Sequence, residues 1–248
     1  MIVFDLSGLE YGVVALCAVM VGFAKSGIPG LLILAVPLMA GVMPARTSVG
    51  VLLGILILAD VIAAVYYRHQ VLWRHIFRLL PLTLAGIVVG YFGLRVVDDE
   101  QLKPLIGVIV LVMLGINYWR TMVGGEDRPI PTQWWFAAIA GFMAGIMTMM
   151  ANAAGPIMIL YLLSMRLPKY TFVGTTAWFF FIVNWVKVPF SANLKLMTLE
   201  SVKLDLMMLP LVVVGAIVGI FILKRIPLKI FNLVVQILAA LAAIKLLF

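Results

Sequence analysis

The sequence predicts an all-α, polytopic membrane protein made of two inverted-topology repeats of about five helical segments each. Three observations predict it. Of 248 residues, 65% are hydrophobic and 11% charged, against about 25% charged in a typical soluble domain. Apolar runs approaching the ~20 residues that a bilayer crossing needs recur along the whole chain. Several short motifs of the first half return, in the same order, in the second. So few polar residues cannot make a soluble surface, so a cytosolic enzyme, a disordered chain and a nucleic-acid-binding domain are excluded. The net charge of +8 has a simpler use at membrane loop ends than on nucleic acid.

The apolar spans, in order, are 9–24, 30–43, 47–67, 76–97 and 104–121, then 133–150, 156–166, 169–190, 204–223 and 229–247. The first follows MIVFDLSGLE, which lacks a basic n-region, so it is expected to stay in the mature chain. It holds Cys17, the single cysteine, which has no partner for a disulfide or a metal site. The second and seventh spans are too short for a full crossing. Each follows a Gly/Pro-rich interruption, Lys25-Ser26-Gly27-Ile28-Pro29-Gly30 or Asn152-Ala153-Ala154-Gly155-Pro156. Between the fifth and sixth spans lies Gly124-Gly125-Glu126-Asp127-Arg128-Pro129, the longest polar stretch. The chain therefore divides into a first transmembrane repeat (1–121), a linker (122–132) and a second repeat (133–248).

The halves share a pattern. Pro44-x-x-Thr47-x-Val49-Gly50 recurs 124 residues later as Pro168-x-x-Thr171-x-Val173-Gly174. Leu80-Pro81-Leu82 with Gly86 and Gly90 recurs 129 residues later as Leu209-Pro210-Leu211 with Gly215 and Gly219. Gly22-Phe23 recurs as Gly141-Phe142. Placing loops 68–78, 120–128, 166–169 and 224–229 in the cytoplasm puts ten Lys/Arg inside (Arg68, Arg74, Arg78, Arg120, Arg128, Arg166, Lys169, Lys224, Arg225, Lys229). Seven then lie outside (Arg46, Arg95, Lys103, Lys187, Lys195, Lys203, Lys245), with Lys25 in the membrane. This positive-inside bias puts both termini outside and gives the repeats opposite orientations, a common construction in secondary transporters.

The paired interruptions carry the functional expectation. Non-helical backbone in hydrocarbon is costly unless it lines a cavity. Each break opens a helix, with Pro29 or Pro156 near its first position, and a helix N-terminus offers free N–H groups and about half a positive charge. Two such ends at mid-membrane would hold an anion. The candidate substrate-binding residues are Lys25, Ser26, Gly27 and Gly30 from the first break, and Asn152, Ala153, Ala154 and Gly155 from the second. Thr148 adds a further polar group. A lysine at the bilayer centre costs about 2.5–3.5 kcal/mol, a cost that a bound anion would offset. Lys25-Ser26 is not a phosphate-binding loop, because Ala24 precedes the lysine and the glycine spacing is wrong.

Asp60, read as the only acid well inside a span, fits an ion-coupling relay and equally a structural hydrogen-bonding role. Its counterpart 124 residues on is Asn184. Asn184 and Lys187 share a helical face at i, i+3. They either extend the anion path or, for Lys187, mark the outer interface. The glycine pairs 50/54, 86/90, 141/145 and 215/219 read as close-packing faces or a homodimer seam. Trp73, Trp119, Trp134 and Trp135 read as interface anchors. His69 and His75 lie in a basic loop without metal-ligand spacing. The methionines read as packing, with soft-metal coordination a remote alternative. No cofactor or metal is expected.

The segments GFAKSGIPGLLILAVPLMAGVMPARTSVG and TMMANAAGPIMILYLLSMRLPKYTFVGTTAWFFFIVNWVKVPFS resemble the TauE/SafE sulfite exporter family, and the likeness extends over nearly the whole chain. It implies a multi-pass permease of the bacterial inner membrane that moves small sulfur oxyanions or organosulfonates such as sulfite or sulfoacetate. The residues by themselves reach a small-anion secondary transporter working by alternating access. An anion channel, or an integral-membrane enzyme acting on an anionic lipid headgroup, is the alternative. The expected partners are the small anion, the bilayer and, at most, a second copy of the chain.

Overall fold

The computed structural model describes residues 6–27, 31–124, 134–165 and 167–222, with scattered positions between 237 and 247. Pro29, Gly30, most of the expected linker, the 224–229 loop and most of the 229–247 span lie outside the described residues. These residues form the helices α1 (Gly8–Ser26), α2 (Leu32–Val42), α3 (Ala45–Tyr66), α4 (Trp73–Val96), α5 (Asp99–Gly124), α6 (Trp134–Ala151), α7 (Gly155–Ser164), α8 (Lys169–Asn193) and α9 (Leu199–Ile222), with no strand among them. Six are long and apolar enough to cross a membrane: α1, α3, α4, α6, α8 and α9. The two short spans are the short helices α2 and α7, of 11 and 10 residues.

Several boundaries follow from local chemistry. Ser7 caps α1, accepting from Glu10 N–H while the Glu10 carboxylate accepts from Ser7 N–H, a reciprocal capping box. Pro44 and Pro168, the first residues of the repeated motif, are the N-caps of α3 and α8, both in extended backbone. Hydropathy places the starts of α4 and α9 too late. Both helices continue outward through polar residues, Arg74 and His75 in one and Glu200 and Lys203 in the other. His75 is consequently not a loop residue: it is buried in the first turn of α4, and its Nδ1 shares a 3.1 Å hydrogen bond with the Tyr161 hydroxyl of α7.

Helix α3 is the most enclosed span, with 72% of its apolar window buried, whereas α4 and α9 bury 33% and turn the rest outward. Outward-facing side chains such as Val89 and Phe92 of α4, and Val214 and Phe221 of α9, are apolar and exposed, as a lipid-facing rim requires. Helices α3 and α8 run antiparallel. Gly174, near the start of α8, lies against Gln70 and Tyr67 just beyond α3, and Gly50, near the start of α3, lies against Leu196 just beyond α8. Between these ends Asn184 donates a 2.6 Å hydrogen bond to Asp60.

The glycine pairs are absorbed within the chain. Gly22 of α1 meets Val212 and Ala216 of α9, and Gly215 of α9 meets Val19 of α1. Gly141 and Gly145 of α6 meet Leu79 and Thr83 of α4, while Gly86 of α4 meets Phe142 and Gly145. A Cβ at these positions would run into neighbouring backbone, so glycine sets the helix separation. Both tight pairs, α1 with α9 and α4 with α6, join one half of the chain to the other. At one end of the bundle Arg46 acts as a clamp. Its guanidinium donates to the Leu94 and Val97 carbonyls at 2.8 Å and to Leu194 at 3.3 Å, and its N–H donates to Asp99 at 2.7 Å. The start of α3 is thereby tied to the ends of α4 and α8 and to the start of α5.

Candidate anion site

The first break follows Ser26, where α1 ends. Gly27 closes the helix, its N–H donating to the Phe23 carbonyl at 2.8 Å. A Cβ on Gly27 would sit 2.6 Å from the Gly219 carbonyl of α9. Glycine is therefore needed here to pack α1 on α9, rather than to admit a ligand. Ser26 is fully buried. Its carbonyl accepts a 2.8 Å bond from the Tyr67 hydroxyl, and its own hydroxyl has no partner among the described residues. Helix α2 then starts without a side-chain cap.

The second break is closed by Asn152, whose φ of 54° is the left-handed conformation that asparagine tolerates better than most residues. Its N–H returns to Thr148 at 3.1 Å, and the Ala153 N–H to Met147 at 3.3 Å. The Asn152 side chain bridges two elements: Nδ2 donates to the Val49 carbonyl of α3 at 2.9 Å, and Oδ1 accepts from Lys187 Nζ of α8 at 2.6 Å. Ala153 and Ala154 are buried. Gly155, which opens α7, has no described residue within 4 Å of the place a Cβ would take.

A chain of polar side chains joins the breaks. Lys25 Nζ pairs with Asp60 Oδ1 at 2.7 Å and lies 4.2 Å from the centre of the Phe180 ring. Asp60 Oδ2 accepts from Asn184, and Lys187 donates to Asn184 at 3.4 Å, Thr148 at 3.2 Å and Asn152 at 2.6 Å. All are buried, Asp60 and Lys187 completely. Asp60 and Asn184, equivalent positions in the repeated pattern, touch each other at the α3–α8 crossing.

Every described candidate lies in or beside this chain, with two corrections. The counter-charge of Lys25 is Asp60, so no absent anion has to be invoked for that lysine. Lys187 does not mark an interface, because it is fully buried at the centre. Gly30 lies outside the described residues. A small cavity of ≈ 20 Å³ opens beside the first break, lined by Lys25, Leu32, Gly155, Val173, Thr176 and Phe180 among others. It has room for about one water molecule, so a polyatomic anion would need it to widen.

Asp205 was not legible as an intramembrane acid. It sits in the second turn of α9, is 2% exposed and has no partner on either carboxylate oxygen among the described residues. The helix begins earlier than its apolar run, so hydropathy alone placed this residue at a span edge.

Lys25, Asp60 and Lys187 thus stand in one buried polar chain. The sulfite exporter TauE/SafE family model matches residues 14–246. The chain belongs to this family. TauE/SafE proteins are membrane transporters, and the six membrane-length helices fit a multi-pass transport protein. No curated protein and no solved structure gave a significant match.

Proposed function

We propose that this TauE/SafE protein exports a small sulfur-containing anion, such as sulfite, sulfoacetate or a similar organosulfonate, across a bacterial inner membrane by alternating access. The observation that carries the reading is Lys187. It is a fully buried lysine whose amine donates to Thr148, Asn152 and Asn184, beside the break that opens α7. An anion entering between the breaks would meet that amine and the N-terminal N–H groups of α7. Ser26 adds a buried hydroxyl without a partner among the described residues. An interior-negative potential favours anion exit by about 2.3 kcal/mol per charge per 100 mV.

The reading includes two inverted repeats, 1–121 and 133–248, with loop 68–78 in the cytoplasm. Three features support it: the exchanged packing of α1 with α9 and of α6 with α4, the antiparallel α3 and α8, and the contact between the equivalent residues Asp60 and Asn184. The small size of the cavity, about one water molecule, favours a carrier over an open pore.

The test is flux into and out of proteoliposomes with sulfite, sulfoacetate, sulfate and acetate. Saturable flux and counterflow of the sulfur anions, lost in Lys187→Met, is expected. Equal permeation of all four anions without counterflow would make the protein a channel. No flux of any would overturn the reading.

A further inference from the structure

Within the membrane the two acids have opposite surroundings. Both oxygens of Asp60 are engaged, one by Lys25 and one by Asn184. Neither oxygen of Asp205 is engaged by any described residue, although Asp205 is 2% exposed. Its carboxyl fills a niche on α3, where Gly54 has no side chain and a Cβ would collide with Asp205 Oδ2. An ionised carboxylate there would have neither a counter-charge nor a donor among the described residues, a state too costly for a closed protein interior.

Helix α9 packs on α1 and α3. From α3, Asp60 is turned to Lys25 and Asn184, Arg46 is spent on the Leu94, Val97 and Leu194 carbonyls, and Tyr67 donates to Ser26. From α1, Glu10 is held by Ser7, Cys17 lies against the Ala35 carbonyl and Lys25 pairs with Asp60; Tyr11 stands in the first turn. On α9 itself Glu200 and Lys203 are exposed. None of these groups bonds to either Asp205 oxygen. Gly54 precedes Asp60 by six residues on α3, a rise of about 9 Å, so the niche lies on the helix that carries the centre of the polar chain.

We propose that Asp205 is a proton-binding site of the transport cycle, holding one proton in the closed state and releasing it when α9 separates from Gly54 and water enters. The chemistry is a single ionisation: the carboxylic acid O–H bond breaks, the proton leaves to water and the carboxylate keeps the electron pair until it is reprotonated. This coupling rests on the transport reading above; the proton on Asp205 does not.

Two measurements test it. The first treats the whole protein in vesicles with dicyclohexylcarbodiimide, a lipid-soluble reagent that reacts with protonated carboxyls, and maps the adduct by peptide mass spectrometry. An adduct at Asp205 that fades as pH rises is expected, with Asp60 unmodified. No adduct at Asp205 at any pH overturns the proposal. The second follows internal pH in proteoliposomes at clamped voltage while a sulfonate, which carries no proton near neutral pH, is transported. Asp205→Asn should lower the protons moved per anion at least tenfold, or stop both movements with thermal stability kept. An unchanged ratio overturns the proposal. If the variant does not fold, the labelling of the unaltered protein decides. Labelling at Asp205 without flux of any anion would remove the transport reading and leave the proton site standing.

Discussion

The two breaks look alike in the sequence and differ in how they handle charge. The first carries its own cation, Lys25, and an acid from α3 neutralises it. The second carries an amide, Asn152, and borrows its cation from α8, where Lys187 finds only neutral oxygens. Their glycines differ too: Gly27 is pressed against Gly219, while Gly155 has no described residue against it. One break is thus closed by an ion pair and helix packing, and the other by an amide that accepts from a buried lysine. Two breaks alike in sequence can hold their buried lysines in different ways.

The largest effect expected from breaking this contrast is at Asp60. Asp60→Asn leaves Lys25 buried without a counter-charge, which costs about 3–5 kcal/mol. Thermal unfolding in detergent should show a marked loss of stability, largely restored by adding Lys25→Met. An Asp60→Asn protein as stable as wild type would mean that the ion pair holds nothing together.

Next comes Lys187. Lys187→Met keeps the stem and removes the charge. A hydrogen bond to a charged group is worth about 1.5–3 kcal/mol, so calorimetric affinity for the best anion should fall roughly 10- to 100-fold. Lys25→Met, whose charge is already balanced, should weaken binding less. The opposite ranking would move the recognising charge to the first break.

The glycines sharpen the same contrast. Gly27→Ala must push α9 away from α1, at a cost of about 1–3 kcal/mol. Gly155→Ala meets no described residue, and its stability should stay within about 0.5 kcal/mol of wild type. Equal destabilisation by both would contradict the asymmetry. The smallest effect compares Asn152→Gly with Asn152→Ala. Both lose the amide and should lose similar affinity, but alanine also bears the left-handed backbone, so Asn152→Ala should unfold about 1 kcal/mol more easily.

Much of this was legible because it is periodic or compositional. Hydropathy finds helices, and Gly/Pro clusters find breaks, so α2, α7 and the residues around Lys25 and Asn152 follow directly. The repeated motif also pairs Asp60 with Asn184. What sequence cannot give is which polar group meets which. Lys25 and Asp60 lie 35 residues apart with nothing local to join them, and only the docking of α1 on α3 makes them a pair. Lys187 resembled an interface residue because it stands three residues from the crossing and near the end of an apolar run. Asp205 escaped notice because Lys203 and Glu200 beside it disguise the start of α9, and Gly54, which makes its niche, is 151 positions away.

The order in which the chain is made gives the ion pair a further meaning. Lys25 enters the membrane with α1, 35 residues before its partner Asp60 is synthesised. Asn152 also precedes Lys187 by 35 residues, but there the neutral acceptor comes first and the charge second. A lysine inside the membrane costs about 2.5–3.5 kcal/mol on insertion. In the first half the residue that carries this cost stands in the last turn of α1, and its counter-charge comes from the later helix α3. In the second half the acceptor Asn152 is already made when Lys187 follows, so the two halves meet the cost of a buried lysine in opposite orders.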